Sequence, residues 1–312
     1  MAHLDGSSGS RWDLYERRVR ISESITIAPA TGGGGQYVLK LPDGSIVTNV
    51  KDGQGAYDLI SFDEGRTWTR AADHRASYPK CLADGTILVY VAFPRESLGH
   101  GKFTYKMWRG KDTYDSLCPE TCTMFIPNAV CGTGDDGKVN AIKGMIIWSP
   151  TITELPDGRL LATMYGWFDE DTAPKTDPAY QGGMNKGVPH FKYRSIVVES
   201  KDRGAMWRYL STIAGPPHGL EGPCEPSMVR VGNGDLVAVM RFGRVTPLYQ
   251  SRSQDNGQTW SLPQPLHAFG VAPYMFVMSD GTVACAYGVK EDLWAGQQRR
   301  DARIMFSFDG GH

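Results

Sequence analysis

The strongest constraint on this chain is a short turn that recurs along it. SFDEGRTW occupies 61–68, SKDRGAMW 200–207, SQDNGQTW 253–260 and SFDGGH 307–312. All four fit S-x-D-x-G, and three end on a tryptophan at the same offset. These residue types define a bend: aspartate accepts backbone N–H groups across it, glycine takes a conformation closed to residues with a Cβ, and serine and threonine add local hydrogen bonds. The tryptophan then turns inward to pack between sheets. Recurrence at matched offsets points to a repeat architecture rather than to unrelated surface turns.

A second repeat precedes the first. An apolar stretch, an Asp-Gly or Asn-Gly pair and another apolar stretch recur in YVLKLPDGSIVTNV (37–50), YPKCLADGTILVYV (78–91), SPTITELPDGRLLATMYG (149–166), EPSMVRVGNGDLVAVMR (225–241) and APYMFVMSDGTVACAYG (272–288). Each reads as a β-hairpin with a tight turn. From that turn to the serine of the following S-x-D-x-G is 18 residues in the first repeat (43 to 61) and 20 in the fourth (233 to 253), room for a third strand. Each unit is then a four-stranded blade, and the expectation is an all-β, six-bladed β-propeller with about five blades in this chain. The units fall at about 36–70, 78–126, 149–213, 226–267 and from 272 onward, the second without the S-x-D-x-G turn. No helical period of any length interrupts them, which favours one domain over 17–312 behind a flexible leader at 1–16. Two stretches, 96–147 and 167–190, break the spacing, are rich in Gly, Pro, Asp and Thr, and read as long loops on one face. The sequence stops inside its fourth turn, at His312, so the expected ring is incomplete.

Composition removes several function classes. Lys plus Arg (33) and Asp plus Glu (34) nearly cancel, so no basic field exists to hold nucleic acid. No apolar run approaches the roughly 20 residues of a membrane span, and the first 20 residues hold no apolar stretch of signal-peptide length. As written the chain is unexported; a start that is not native would leave export open. The six cysteines form no paired C-x-x-C with histidines and give no zinc pattern. Cys81, Cys224 and Cys285 sit in apolar runs and read as core, whereas Cys118, Cys122 and Cys131 share one segment that can hold a disulfide if the protein is exported.

The S-x-D-x-G turns, known as Asp boxes, together with the Asp-Gly hairpins resemble the sialidase (neuraminidase) superfamily over nearly the whole chain from about residue 35. That resemblance implies an axial site on the face where the inner strands begin. It also implies a tyrosine nucleophile helped by a glutamate, an aspartate acid/base and three arginines gripping a carboxylate. A neutral tyrosine suits an anomeric carbon that already bears a carboxylate, and guanidinium forks hold that anion.

The best local match is Glu225 with Arg241, which resembles the family's Glu…Arg hairpin. Glu225 opens the inner strand of the fourth unit and Arg241 closes the second strand, so the two ends return alongside each other. The alternative for this pair is a hairpin-end salt bridge. RRDARIMFSFDGG resembles the family's arginine ahead of a late Asp box, with Arg299 at the better spacing. Asp52, in KDGQG, lies roughly where the family's acid/base aspartate lies, and is equally a turn former. The family's first arginine has no counterpart: its position falls near Gly34, and Arg20 lies too far upstream. Its nucleophilic tyrosine and final glutamate would fall beyond His312.

Further candidates for chemistry are His190, His218 and Glu221, the last two in the Gly- and Pro-rich approach to Glu225. Glu221 and Glu225 can be a carboxylate pair with split pKa values, or Glu221 a solvated loop acid. Trp148, Tyr165, Trp167 and Phe168 either stack on a sugar ring or pack between blades. The expectation is therefore a sialidase-like exo-glycosidase removing a terminal acidic sugar, with Glu225 and Asp52 catalytic and Arg241, Arg299, Glu221 and His218 binding substrate. No cofactor or metal is implied. The alternatives are a hydrolase or lyase of related fold for another uronate-type sugar, or a non-catalytic propeller that binds glycans or proteins.

Overall fold

The computed structural model describes residues 26–27, 37–52, 55–71, 78–130, 146–171, 192–216, 222–243, 246–292 and 298–312. Their regular structure is strand throughout, apart from one 3₁₀ turn at Tyr114–Ser116. The first unit comprises β1 (Val38–Lys40), β2 (Ile46–Asp52), β3 (Gly55–Ser61) and β4 (Thr69–Arg70). The second holds β5 (Tyr78–Cys81), β6 (Thr86–Tyr90), β7 (Glu96–Gly99), β8 (Lys102–Lys111) and β9 (Cys118–Phe125). In the third are β10 (Ala129–Val130), β11 (Ile146–Glu154), β12 (Leu160–Phe168), β13 (Arg194–Ser200) and β14 (Met206–Ala214). The fourth contains β15 (Cys224–Arg230), β16 (Leu236–Arg241), β17 (Pro247–Ser253) and β18 (Gln264–Phe269), and the fifth β19 (Val271–Val277), β20 (Val283–Asp292) and β21 (Gln298–Ser307). Within units the strands pair antiparallel, in meander order except that β8 pairs with β6 as well as β7 and β10 with β12; β14 also pairs parallel with β9, fusing units two and three into one ten-stranded sheet.

The five expected hairpins form, all with one loop geometry. Each glycine donates its N–H to the carbonyl three residues back: Gly44 to Leu41, Gly85 to Leu82, Gly158 to Leu155, Gly234 to Val231 and Gly281 to Met278, at 2.8 to 3.0 Å. The Asp or Asn before it accepts the N–H two residues on, as Asp43 does from Ser45 and Asn233 from Asp235. These are three-residue loops with one left-handed glycine rather than two-residue turns.

The Asp boxes form as their residue types require. Ser61 donates to Asp63 at 2.9 Å and accepts the Gly65 N–H at 2.8 Å, while Asp63 accepts the Thr67 N–H at 2.8 Å. Ser200/Asp202/Gly204, Ser253/Asp255/Gly257 and Ser307/Asp309/Gly311 repeat the first two bonds. In the first three boxes the residue before the glycine is also left-handed, Glu64, Arg203 and Asn256 at φ 57 to 60°. Trp207 is 1% exposed, and Trp68 and Trp260 are half-buried. In unit two a different turn stands in the box's place: the Ser116 hydroxyl caps the Lys111 N–H at 2.7 Å, and the Tyr114 hydroxyl donates to the buried Asp58 carboxylate of unit one.

The core lies between adjacent units, because each strand alternates its two faces toward two neighbours. On β12, Leu160, Ala162 and Met164 face unit two and Leu161 faces unit four. The segment 96–147, expected as a loop, is a correction: its residues 96–125 are largely β7, β8 and β9. Phe103, Tyr105 and Met107 on β8 and Cys122 and Met124 on β9 alternate into the core, a period of two hidden among polar neighbours. Segment 172–191, most of the second expected loop, and the 1–16 leader lie outside the described residues. Of the cysteines read as core, Cys224 and Cys285 are fully buried but Cys81 is only half-buried. Cys118 is exposed and Cys122 buried, both as free thiols; Cys131 lies outside the described residues.

Candidate functional site

The two ends of the units differ in kind. Hairpin loops and Asp boxes occupy one; the starts of the inner strands β11, β15 and β19 and the ends of β12, β16 and β20 occupy the other. At that second end β15 is interrupted. Cys224 pairs with Arg241, but the next partners are Ser227 and Val239, so one extra residue bulges out at Glu225-Pro226. Proline removes a ladder donor there. Glu225 takes φ +53°, although a residue before proline normally stays extended. β19 repeats the arrangement at Ala272-Pro273, with Ala272 at φ +52°.

The two bulges are tied to each other. Glu225 Oε2 accepts the Ala272 N–H at 2.6 Å and lies 3.0 Å from Arg241 Nε, an ion pair whose N–H is not aligned for a hydrogen bond. Each residue of the pair is 9% exposed. One residue past each proline, a hydroxyl accepts the amide of the next unit's inner strand: Thr151 from Met228 at 3.2 Å and Ser227 from Met275 at 2.7 Å. Thr163 adds a 2.8 Å bond to the Pro226 carbonyl. The sequence carries a signal for this network, the repeated X-Pro-Ser/Thr of SPT (149–151) and EPS (225–227), which reasoning from hairpins alone misses.

Around the pair lies a packed aromatic wall. Tyr165, Trp167 and Phe168 are all buried, with Tyr193 edge-on to Tyr165 at 5.1 Å and stacked on Trp167 at 5.8 Å. Of the two expectations for these rings the structure meets packing: Phe168 lies against unit two, Tyr165 with Ala92 of unit two and Cys224 of unit four, and Trp167 on Tyr193 of its own unit. The side chain of Trp148 lies outside the described residues. Burial, then the neighbouring Cys224 and Glu225, pushes the Tyr165 hydroxyl well above its ordinary pKa, with Arg241 acting in the opposite sense. Tyr165 is therefore a neutral phenol at any physiological pH. Arg194, which the sequence did not single out, forks onto Asp171 at 2.6 and 2.7 Å and lies over the Phe168 ring.

Of the six candidates, the structure brings together Glu225 and Arg241. Asp52 is the last residue of β2, paired with Gly55 across the turn to β3. Arg299 lies on β21 opposite Glu291. The side chains of Asp52 and Arg299 lie outside the described residues, as do His190, His218, Glu221, Gly34 and Arg20 entirely. Among the described residues no three His, Cys, Asp or Glu side chains gather as a metal site.

These antiparallel units, stapled by Asp boxes and cored between neighbouring sheets, define a Asp-box repeat protein. Residues 140–312, more than half of the chain, match the BNR repeat-like domain family, and the chain belongs to it. No curated protein matches. A protein of unknown function from Dyadobacter fermentans is similar in structure, with a TM-score of 0.56 and 19% identity over 88% of this chain and 79% of that one. A Hadza microbial sialidase has a TM-score of 0.55 and 16% identity over 88% of this chain and 56% of its own length. The alpha-L-arabinanase of Penicillium chrysogenum, complexed with arabinobiose, has a TM-score of 0.51 and 15% identity over 84% and 79%. At such identities the likeness is one of fold, in keeping with the resemblance to the sialidase superfamily.

Proposed function

We propose that this protein is an exo-acting glycoside hydrolase that removes a terminal acidic sugar, built on a six-bladed propeller. The observation that carries the reading is the Glu225–Arg241 pair, held at the inner-strand end in a backbone conformation that proteins rarely keep without cause. An arginine fixed by a buried carboxylate is a rigid receptor for a sugar carboxylate. Glu225 polarises the nucleophile's hydroxyl in this scheme, Asp52 serves as acid/base, and Arg299 is the second anion contact. Glu221 and His218 extend the site toward the substrate. The names of the similar sialidase and arabinanase lend the glycosidase class support.

The test is release of 4-methylumbelliferone from glycosides of sialic acid, glucuronic acid and arabinose. An acidic glycoside should be cleaved, and Glu225→Gln should lower the rate about a hundredfold or more, the range of a lost general base. Cleavage of the arabinoside alone would refute the acidic-sugar assignment. A second reading, a non-catalytic glycan-binding propeller, draws on the mutual burial of Glu225 and Arg241. It predicts glycan-array binding with no turnover of any of the three substrates.

A further inference from the structure

The first strands of all five units enclose a cavity of about 410 Å³. Its walls are the later halves of those strands, 151–154 of β11, 228–230 of β15 and 274–277 of β19, on the hairpin-loop side of the Glu225 bulge. Neither Glu225 nor Arg241 lines it.

Three charged residues do: Lys80, Glu154 and Arg230. Glu154 is already engaged, accepting Arg203 Nη1 at 2.6 Å and the Ala83 N–H at 2.8 Å. Lys80 and Arg230 make no side-chain hydrogen bond or ion pair among the described residues. Counted from the hairpin loops, Lys80 holds the place that Leu39, Thr153, Val229 and Phe276 hold on the other four inner strands, all of which line the cavity. Of these five equivalent side chains Lys80 is the one that carries a charge. Burial draws its pKa down, with the neighbouring Cys81 and Glu154 acting in the opposite sense. The remaining wall mixes apolar side chains, the Tyr274 and Phe276 rings among them, with Thr151 and Thr153.

We propose that this cavity binds a small organic anion, a carboxylate with an apolar body, whose charge meets Lys80 and Arg230 while its body packs on Tyr274 and Phe276. The volume lies in the range of small-molecule sites, roughly 300–1,000 Å³. The cation excess at the wall selects an anion, and the Tyr274 and Phe276 rings select a body larger than a bare inorganic ion.

Benzoate is a suitable probe, with benzamide as its neutral counterpart of the same shape and inorganic phosphate as the bare anion. By isothermal titration calorimetry the wild-type chain should bind benzoate about tenfold or more tighter than benzamide. Lys80→Met should abolish that preference. Arg230→Gln, at an exposed position and therefore safe for folding, should reduce it severalfold. Equal binding of benzoate and benzamide, or an undiminished preference in both variants, would overturn the proposal. Phosphate binding as tight as benzoate would overturn the apolar half of it.

Discussion

Two glycines with the same backbone conformation should respond very differently to alanine. Gly158, in the hairpin loop of unit three, has φ +82° and open space where a Cβ would go; Gly204, in the second Asp box, has φ +89° and would place that Cβ 2.2 Å from the Tyr90 hydroxyl. A left-handed alanine costs about 1–2 kcal/mol, and the stiffer unfolded chain returns about 0.4–1 kcal/mol, so Gly158→Ala should lose about 1 kcal/mol. In Gly204→Ala the Tyr90 hydroxyl must also leave. It gives up its 3.1 Å bond to the Gly204 carbonyl and the 3.3 Å bond it receives from Trp207 Nε1, both buried. Trp207 Nε1 keeps its own 3.1 Å bond to the Gly204 carbonyl, so the Tyr90 hydroxyl is the group left unmet, at about 1–3 kcal/mol, which brings the total to about 2–4 kcal/mol.

Urea unfolding followed by tryptophan fluorescence, at unchanged slope, reads both values. The decisive variant is Gly204→Ala with Tyr90→Phe. Without the hydroxyl the nearest ring carbon stands 3.5 Å from the new Cβ, ordinary contact. The double variant should therefore be more stable than the sum of the single losses predicts, by about 1 kcal/mol or more. Strict additivity, or a Gly204→Ala loss no larger than that of Gly158→Ala, would refute the assignment of this box as a stitch between units two and three.

Two further outcomes follow from the same stitching. Ser227→Ala removes the acceptor of the Met275 amide, 2.7 Å away and buried, and should cost about 1–3 kcal/mol in urea unfolding, with the loss confined to units four and five in hydrogen exchange. The Asp63 carboxyl is lowered from 3.8 to about 2, chiefly by the Thr67 hydroxyl and amide bonds. A depressed carboxyl adds stability that is complete above its ordinary value and is lost as pH falls through the folded one. The melting temperature should therefore drop between about pH 4 and 2, and Asp63→Asn should flatten that drop.

The fold was legible because its punctuation is chemical. Asp-Gly loops and S-x-D-x-G turns need particular side chains at particular offsets, so Asp43, Asp63, Gly204 and Ser253 announce their roles without reference to the rest of the chain. Strands β8 and β9 were harder: Phe103, Tyr105, Met107, Cys122 and Met124 alternate in the right period, but lysines, threonines and a glycine between them give a loop's composition. The parallel join of β14 to β9 is a pairing of segments about 80 residues apart and leaves no local trace. In the candidate site, the meeting of Glu225 and Arg241 follows from hairpin register. The left-handed bulge does not, because nothing in a Glu-Pro pair predicts a conformation that the following proline disfavours. Arg194 on Asp171 joins residues from two ends of an intervening segment, again beyond local pattern.

That bulge bears on what Glu225 does. A left-handed residue before proline costs of order 1–3 kcal/mol and persists only where its surroundings over-determine it. Here the over-determining contact is the Ala272 amide, itself on a left-handed residue before a proline, so each strained position holds the other through Oε2. A hairpin-end salt bridge would need no such backbone, since Arg241 is reached equally well from a regular strand end. The strain therefore aims the carboxylate, and the aim serves either the joint between units or the chemistry. Glu225→Gln separates the two: the amide oxygen still accepts the Ala272 N–H, so the fold should hold, while the charge needed to polarise a nucleophile is gone. If that variant melts as early as Glu225→Ala, the charge itself belongs to the scaffold. If it melts near wild type yet is inert toward an acidic glycoside that wild type cleaves, the bulge exists to place a carboxylate at the substrate.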